Sequence, residues 1–160
     1  MERAQIGLSE LHKALFRLHI RPMVVADRLG CVVEWNDAAG EWTGLKRERV
    51  LGRPLWEVQA SVAPATIPYE KACSAARDTF LRLVHQSERE DRPWHLHTDG
   101  DILSATGTVR HIHSETFPVW VGSELVIVST FTDENGYAPS DSSDAVFADS
   151  SELPQTATAS

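Results

Sequence analysis

The sequence predicts an α+β domain, a five-stranded antiparallel sheet accompanied by short helices and one long helix, and three stretches carry that expectation. A hairpin signal occupies Met23 to Trp35. A long amphipathic helix runs from Tyr69 to about Gln86, and three β-rich runs joined by tight turns fill Trp94 to Phe131. Hairpin and meander together supply five strands.

The elements follow in order. Leu8, Leu11, Leu15 and Leu18 recur at helical spacing, with Ser9 as a candidate N-cap and Lys13 and Arg17 on the other side. This amphipathic helix precedes the domain, and its stripe either packs on its own sheet or pairs with a second copy. Met23-Val24-Val25-Ala26 is an apolar β-branched run stopped by Asp27-Arg28-Leu29-Gly30, after which Cys31-Val32-Val33-Glu34-Trp35 resumes. Asn36 stands where a helix N-cap belongs, and Asp37 in the first turn favours the positive end of the helix dipole. Gly44 closes that helix because a C′ residue usually needs positive φ. A second helical turn, Arg47 to Leu51, ends at Gly52 with Pro54 beyond it.

A proline-punctuated connection from Ala63 to Pro68 leads into the longest helix. Tyr69, Ala72, Cys73, Ala76, Phe80, Leu83 and Val84 fall on one face, with Glu70, Lys71, Arg77, Asp78 and Arg82 elsewhere. Glu88 to Pro93 ends it. Strands are expected over Trp94 to Ser104, Thr108 to Pro118 and Leu125 to Phe131, with turns at Ala105-Thr106-Gly107 and Val121-Gly122-Ser123. From residue 134 onward Ser, Asp, Ala and Thr dominate with little to bury, so disorder is expected.

Two of these segments carry a family likeness. Trp35-Asn36 at the end of the second strand, Ala38-Ala39 in the short helix, and Thr43-Gly44-Leu45-Lys46-Arg47-Glu48-Arg49-Val50-Leu51-Gly52 resemble the opening of a PAS domain. The run from Gly107 to Trp120, continuing into Val128-Ser129-Thr130-Phe131-Thr132-Asp133, is similar to its closing strands. The likeness divides the chain into a flanking helix over 1–20, a PAS domain over 21–133 and an acidic tail over 134–160.

The resemblance implies a non-enzymatic sensory or regulatory domain in signal transduction, with the long helix lying across the sheet and walling a ligand cavity. Candidate lining residues are Val33, Trp56, Cys73, Phe80, Val84, His85, Ile112 and Ile127. A small ligand or a protein partner would occupy that space; alternatively Trp56 and Phe80 fill it, leaving a ligand-free dimerisation or adaptor module. Flanking helices of such domains often pair, which implies a homodimer through Leu8, Leu11, Leu15 and Leu18. Haem-binding members use a histidine on the long helix, where His85 stands beside the edge of the Phe80–Val84 stripe; solvent exposure or a dipole contact is its other role. Photoactive flavin binding is not expected, because Leu55 to Pro64 lacks the reactive cysteine of the G-x-N-C-R-F-L-Q-like motif. Family members usually end in D-I-T-E and a signalling helix, whereas here Asp133 is followed by Glu134-Asn135-Gly136. Signalling in trans to a histidine kinase or another effector is therefore the expectation.

Composition narrows the classes further. The 160 residues carry a formal charge of −8, but six acidic residues and no base lie from Asp133 onward, so Met1 to Thr132 holds 17 acids and 15 bases. A near-neutral body offers no electrostatic footprint for nucleic acid. Two cysteines and no apolar run near the roughly 18 residues of a membrane span point to a cytoplasmic protein. There is no G-x-S-x-G elbow, H-E-x-x-H, phosphate loop or Cys-x-x-Cys. His95-x-His97 and His111-x-His113 each place two imidazoles on one strand face, and a suitable register would set Asp99 and Asp101 opposite His113 and His111. A solvated polar face explains the same pattern, and no metal ligand is assigned.

Overall fold

The computed structural model describes residues 8–90 and 93–133. Its elements are α1 (Leu8–Leu18), β1 (Met23–Asp27), β2 (Val32–Trp35), α2 (Asp37–Thr43), α3 (Arg47–Val50), α4 (Leu55–Ser61), α5 (Tyr69–Arg89), β3 (Leu96–Leu103), β4 (Val109–Val121) and β5 (Glu124–Asp133). The strands form one antiparallel sheet in the order β2-β1-β5-β4-β3, so the first and last strands meet at its centre. The expectation for the acidic tail lies outside the described residues.

Local chemistry explains the opening elements. Asn36 Oδ1 accepts from the Ala39 backbone N–H at 3.0 Å, and Gly44 ends α2 at φ 75°. The same Asn36 is buried and does more than cap. Its Oδ1 also accepts from Met23 N–H, while Nδ2 donates to the carbonyls of Arg21 at 2.8 Å and His19 at 3.3 Å. One side chain thereby ties the connection after α1 to the sheet and to α2.

Several boundaries differ from the sequence reading. Ser9 lies inside α1, which already begins at Leu8. Cys31 makes a single antiparallel bridge with Pro54 instead of continuing β2, because the chain crosses there to the α3–α4 connection. Leu55–Ser61 is a helix, with Leu55 and Val58 buried one turn apart and Ala60 also buried. β4 runs past Pro118 to Val121, where Pro118 lacks only a donor and its neighbours continue the ladder with β5.

The main core cluster lies on one side of the sheet. Val24, Ala26, Val32, Trp35, Leu125 and Ile127 meet Ala39, Val50, Leu55 and Val58 from the short helices and Phe80, Leu83 and Val84 from α5. Only the C-terminal half of α5 is buried, through Phe80, Leu83, Val84 and Ser87. Trp94 anchors that end, its indole N–H donating to the buried Ser87 hydroxyl at 2.9 Å. The N-terminal half, with Tyr69 exposed and Cys73 half-buried, is only partly covered.

Candidate functional site

The interior beneath α5 gathers part of the expected site. Trp56, Phe80, Val84 and Ile127 belong to one packed cluster, with the Trp56 and Phe80 rings 5.9 Å apart and inclined by 60°. Trp56 also packs close against Gly30, where a Cβ would fall 2.2 Å from the indole. Ile112 is buried, but outside that cluster, and Cys73 is half-buried on the open half of α5.

Two expected lining residues point elsewhere. Val33 is 40% exposed, because the pairing passes from Val25↔Glu34 to Ala26↔Val32 and leaves Val33 as the unpaired residue of a bulge; Val32 takes the inward position. His85 is exposed on α5, its Nε2 3.4 Å from the Arg89 guanidinium one turn on, so an axial-ligand role towards the interior has no geometric basis.

The sheet's inner face also carries hydrogen-bonding groups that the sequence reading did not single out. Direct cross-strand partners share a face, so Ser114 lies beside the core residue Phe131, and Thr98 beside Ser114. The Thr98 and Ser114 hydroxyls meet at 2.5 Å, and those of Thr116 and Ser129 at 2.9 Å. Their alternation with the histidines of the opposite face was a readable signal.

That opposite face holds the imidazoles, in the register that aligns them with carboxylates. Asp99 pairs with His113 and Asp101 with His111 across β3 and β4. His111 Nδ1 is 2.8 Å from Asp101 Oδ1, and His113 Nδ1 contacts Asp99 Oδ1. His95 hydrogen-bonds Glu115 at 2.8 Å and stacks on Phe117. Two three-residue sets could each hold a cation: Asp99, His111 and His113, and His95, His97 and Glu115. Glu115 was not anticipated, because only the register places it opposite His97.

At the other end, the polar side of α1 faces a cleft of about 210 Å³ lined by Glu10, Lys13, Ala14, Arg17, Glu34 and Arg47. Within it Glu34 and Arg47 form an ion pair at 3.0 Å. The apolar stripe of α1 turns away, leaving Leu11 42%, Leu15 60% and Leu18 74% exposed.

A family profile described as PAS fold matches residues 12–133. The chain belongs to the PAS family. Its fold is shared by the PAS domain of a Colwellia psychrerythraea protein at 14% identity and TM-score 0.55, covering 79% of this chain and 97% of that one. The PAS domain of the Cronobacter turicensis RpfR quorum-sensing receptor, solved in complex with BDSF, is similar at 18% identity and TM-score 0.51, covering 72% and 94%. A PAS domain from a two-component sensor histidine kinase aligns at 10% identity and TM-score 0.52, covering 79% and 96%. No curated protein sequence matches the chain. PAS domains are sensory and signalling modules, and among the described residues no helix is long and apolar enough to cross a membrane.

Proposed function

We propose that this PAS domain is a non-enzymatic sensory module that binds a small ligand between α5 and the inner sheet face and acts as a dimer. The observation that carries the reading is the composition of that face: buried aliphatics (Ile112, Leu125, Ile127) adjoin half-buried hydroxyls (Ser114, Thr116). Apolar walls with a few orienting polar groups are what small-molecule sites present. The ligand-bound RpfR domain, on the same fold, supports the class of function. A ligand would shift the domain between packings only by its differential affinity for them.

The Trp56–Phe80 contact favours a second reading, a ligand-free adaptor whose interior those rings fill. Native mass spectrometry of the gently purified chain separates the two: a retained mass above that of the polypeptide supports the sensor, and the bare mass under all conditions supports the adaptor. Haem has lost its named ligand in His85, and a Soret band after purification with haem available would reinstate it.

For the dimer, the occupant of the Leu11, Leu15 and Leu18 stripe is the same helix of a second copy. Carrying 42–74% exposure on three leucines of one helix is costly without a partner. Leu11→Asp with Leu15→Asp yields a folded monomer in solution scattering; an unchanged oligomeric state removes α1 from the interface. The effector is a signalling protein, a histidine kinase being the candidate that the sensor-kinase neighbour supports.

A further inference from the structure

We infer that the start of the β3–β4 ladder carries, on its outer face, a site for a divalent transition metal of the zinc class, held by His95, His97 and Glu115. The backbone presents the two imidazoles together. Trp94 is buried with its indole N–H on Ser87 of α5, and Leu96 packs against the core cluster, so the alternate residues His95 and His97 face solvent. Two inward anchors thus fix a pair of outward ligands.

Glu115 comes from the neighbouring strand. It is the direct cross-strand partner of His97 and so shares its face, while the next residue, Thr116, turns the other way and meets the Ser129 hydroxyl. One nitrogen from each ring and one Glu115 oxygen lie within 4.8 Å of one another. Tetrahedral zinc holds N and O donors about 3.3 Å apart, and the 2.8 Å between His95 Nδ1 and Glu115 Oε1 is already close to that spacing. Rotation of the exposed His97 side chain on the edge strand brings in the third donor.

The way these ligands are engaged separates them from the neighbouring group. His111 and His113 each have a carboxylate of their own, from Asp101 and Asp99. Here one carboxylate serves two imidazoles. Glu115 holds His95, whereas His97 has no hydrogen bond, ion pair or ring contact among the described residues. The His95 ring also stacks on Phe117 at 5.2 Å between centroids, so one ligand is oriented before a metal arrives. A carboxylate only accepts, so His95 Nδ1 carries the proton of its contact with Glu115. On binding, that proton moves to Nε2 and the metal takes its place between the two residues. Imidazole with carboxylate suits zinc, and three protein ligands leave a fourth position to water, so the site exchanges its metal instead of caging it. The cation ties the start of β3, which Trp94 anchors to α5, onto β4.

The test is calorimetric titration of the chelator-treated full chain with zinc chloride. One saturable site is expected. His97→Ala and Glu115→Gln each weaken it by more than the ~10–100-fold typical of losing an outer-shell partner. Asp99→Ala, in the neighbouring group, leaves it unchanged. All three substitutions lie on the sheet's outer face, and circular dichroism confirms that the variants are folded. Absence of a saturable site, full affinity in His97→Ala, or loss of binding in Asp99→Ala overturns the assignment.

Discussion

The two sides of the sheet's centre are built differently. On one side β1, β2 and the short helices enclose an aliphatic core, locked by Asn36, whose four hydrogen bonds join α1's connection, β1 and α2. On the other, β3 and β4 carry hydroxyls inward and His–carboxylate pairs outward. Burial and satisfied hydrogen-bonding groups stabilise the first side, whereas the exposed polar pairs of the second, Asp99–His113 and Thr98–Ser114, contribute little to stability, the buried Asp101 of the Asp101–His111 pair excepted. The β1–β2 side carries the aliphatic core, and the β3–β4 side carries most of the sheet's polar side-chain pairs.

Substitutions test that division, in order of expected effect. Phe80→Ala removes the ring that joins α5 to Trp56 and opens a cavity, at about 3–5 kcal/mol. A urea midpoint that barely moves would show an interior loose enough to collapse. Asn36→Ala strands the N–H groups of Met23 and Ala39 and the Arg21 carbonyl, at about 2–4 kcal/mol. Amide exchange should also quicken at Met23 if this side chain anchors the α1 connection. Gly30→Ala drives a Cβ into Trp56 from a residue at φ +89°, at about 1–3 kcal/mol, with a change in tryptophan fluorescence. Thr98→Val on the exposed β3 edge should stay within about 0.5 kcal/mol by the same denaturation measurement. A cost matching that of Asn36→Ala would mean that β3 is as structural as β1, and the comparison would fail.

The site was only partly legible. Phe80, Val84 and Ile127 follow from periodicity, since an apolar stripe on a helix or alternate strand positions must face the core. Val33 and His85 did not follow. A bulge moves one residue out of the alternation, and a histidine beside an apolar stripe turns outward when the helix rotates by less than one residue's arc. Glu115's place opposite His97 needed the β3–β4 register, which a shift of one residue would have undone.

The sequence by itself determined the elements whose causes are local: the Asn36 cap, the Gly44 stop, the β1–β2 turn and the five strand-forming runs, each dictated by backbone conformation and hydrogen-bonding groups a few residues apart. Only the tertiary structure decided that β5 lies between β1 and β4, that Asn36 reaches back to His19 and Arg21, and that Asp101 is buried behind His111. Those arrangements join residues distant in the chain, and register and burial, unlike periodicity, arise only when the whole sheet is assembled.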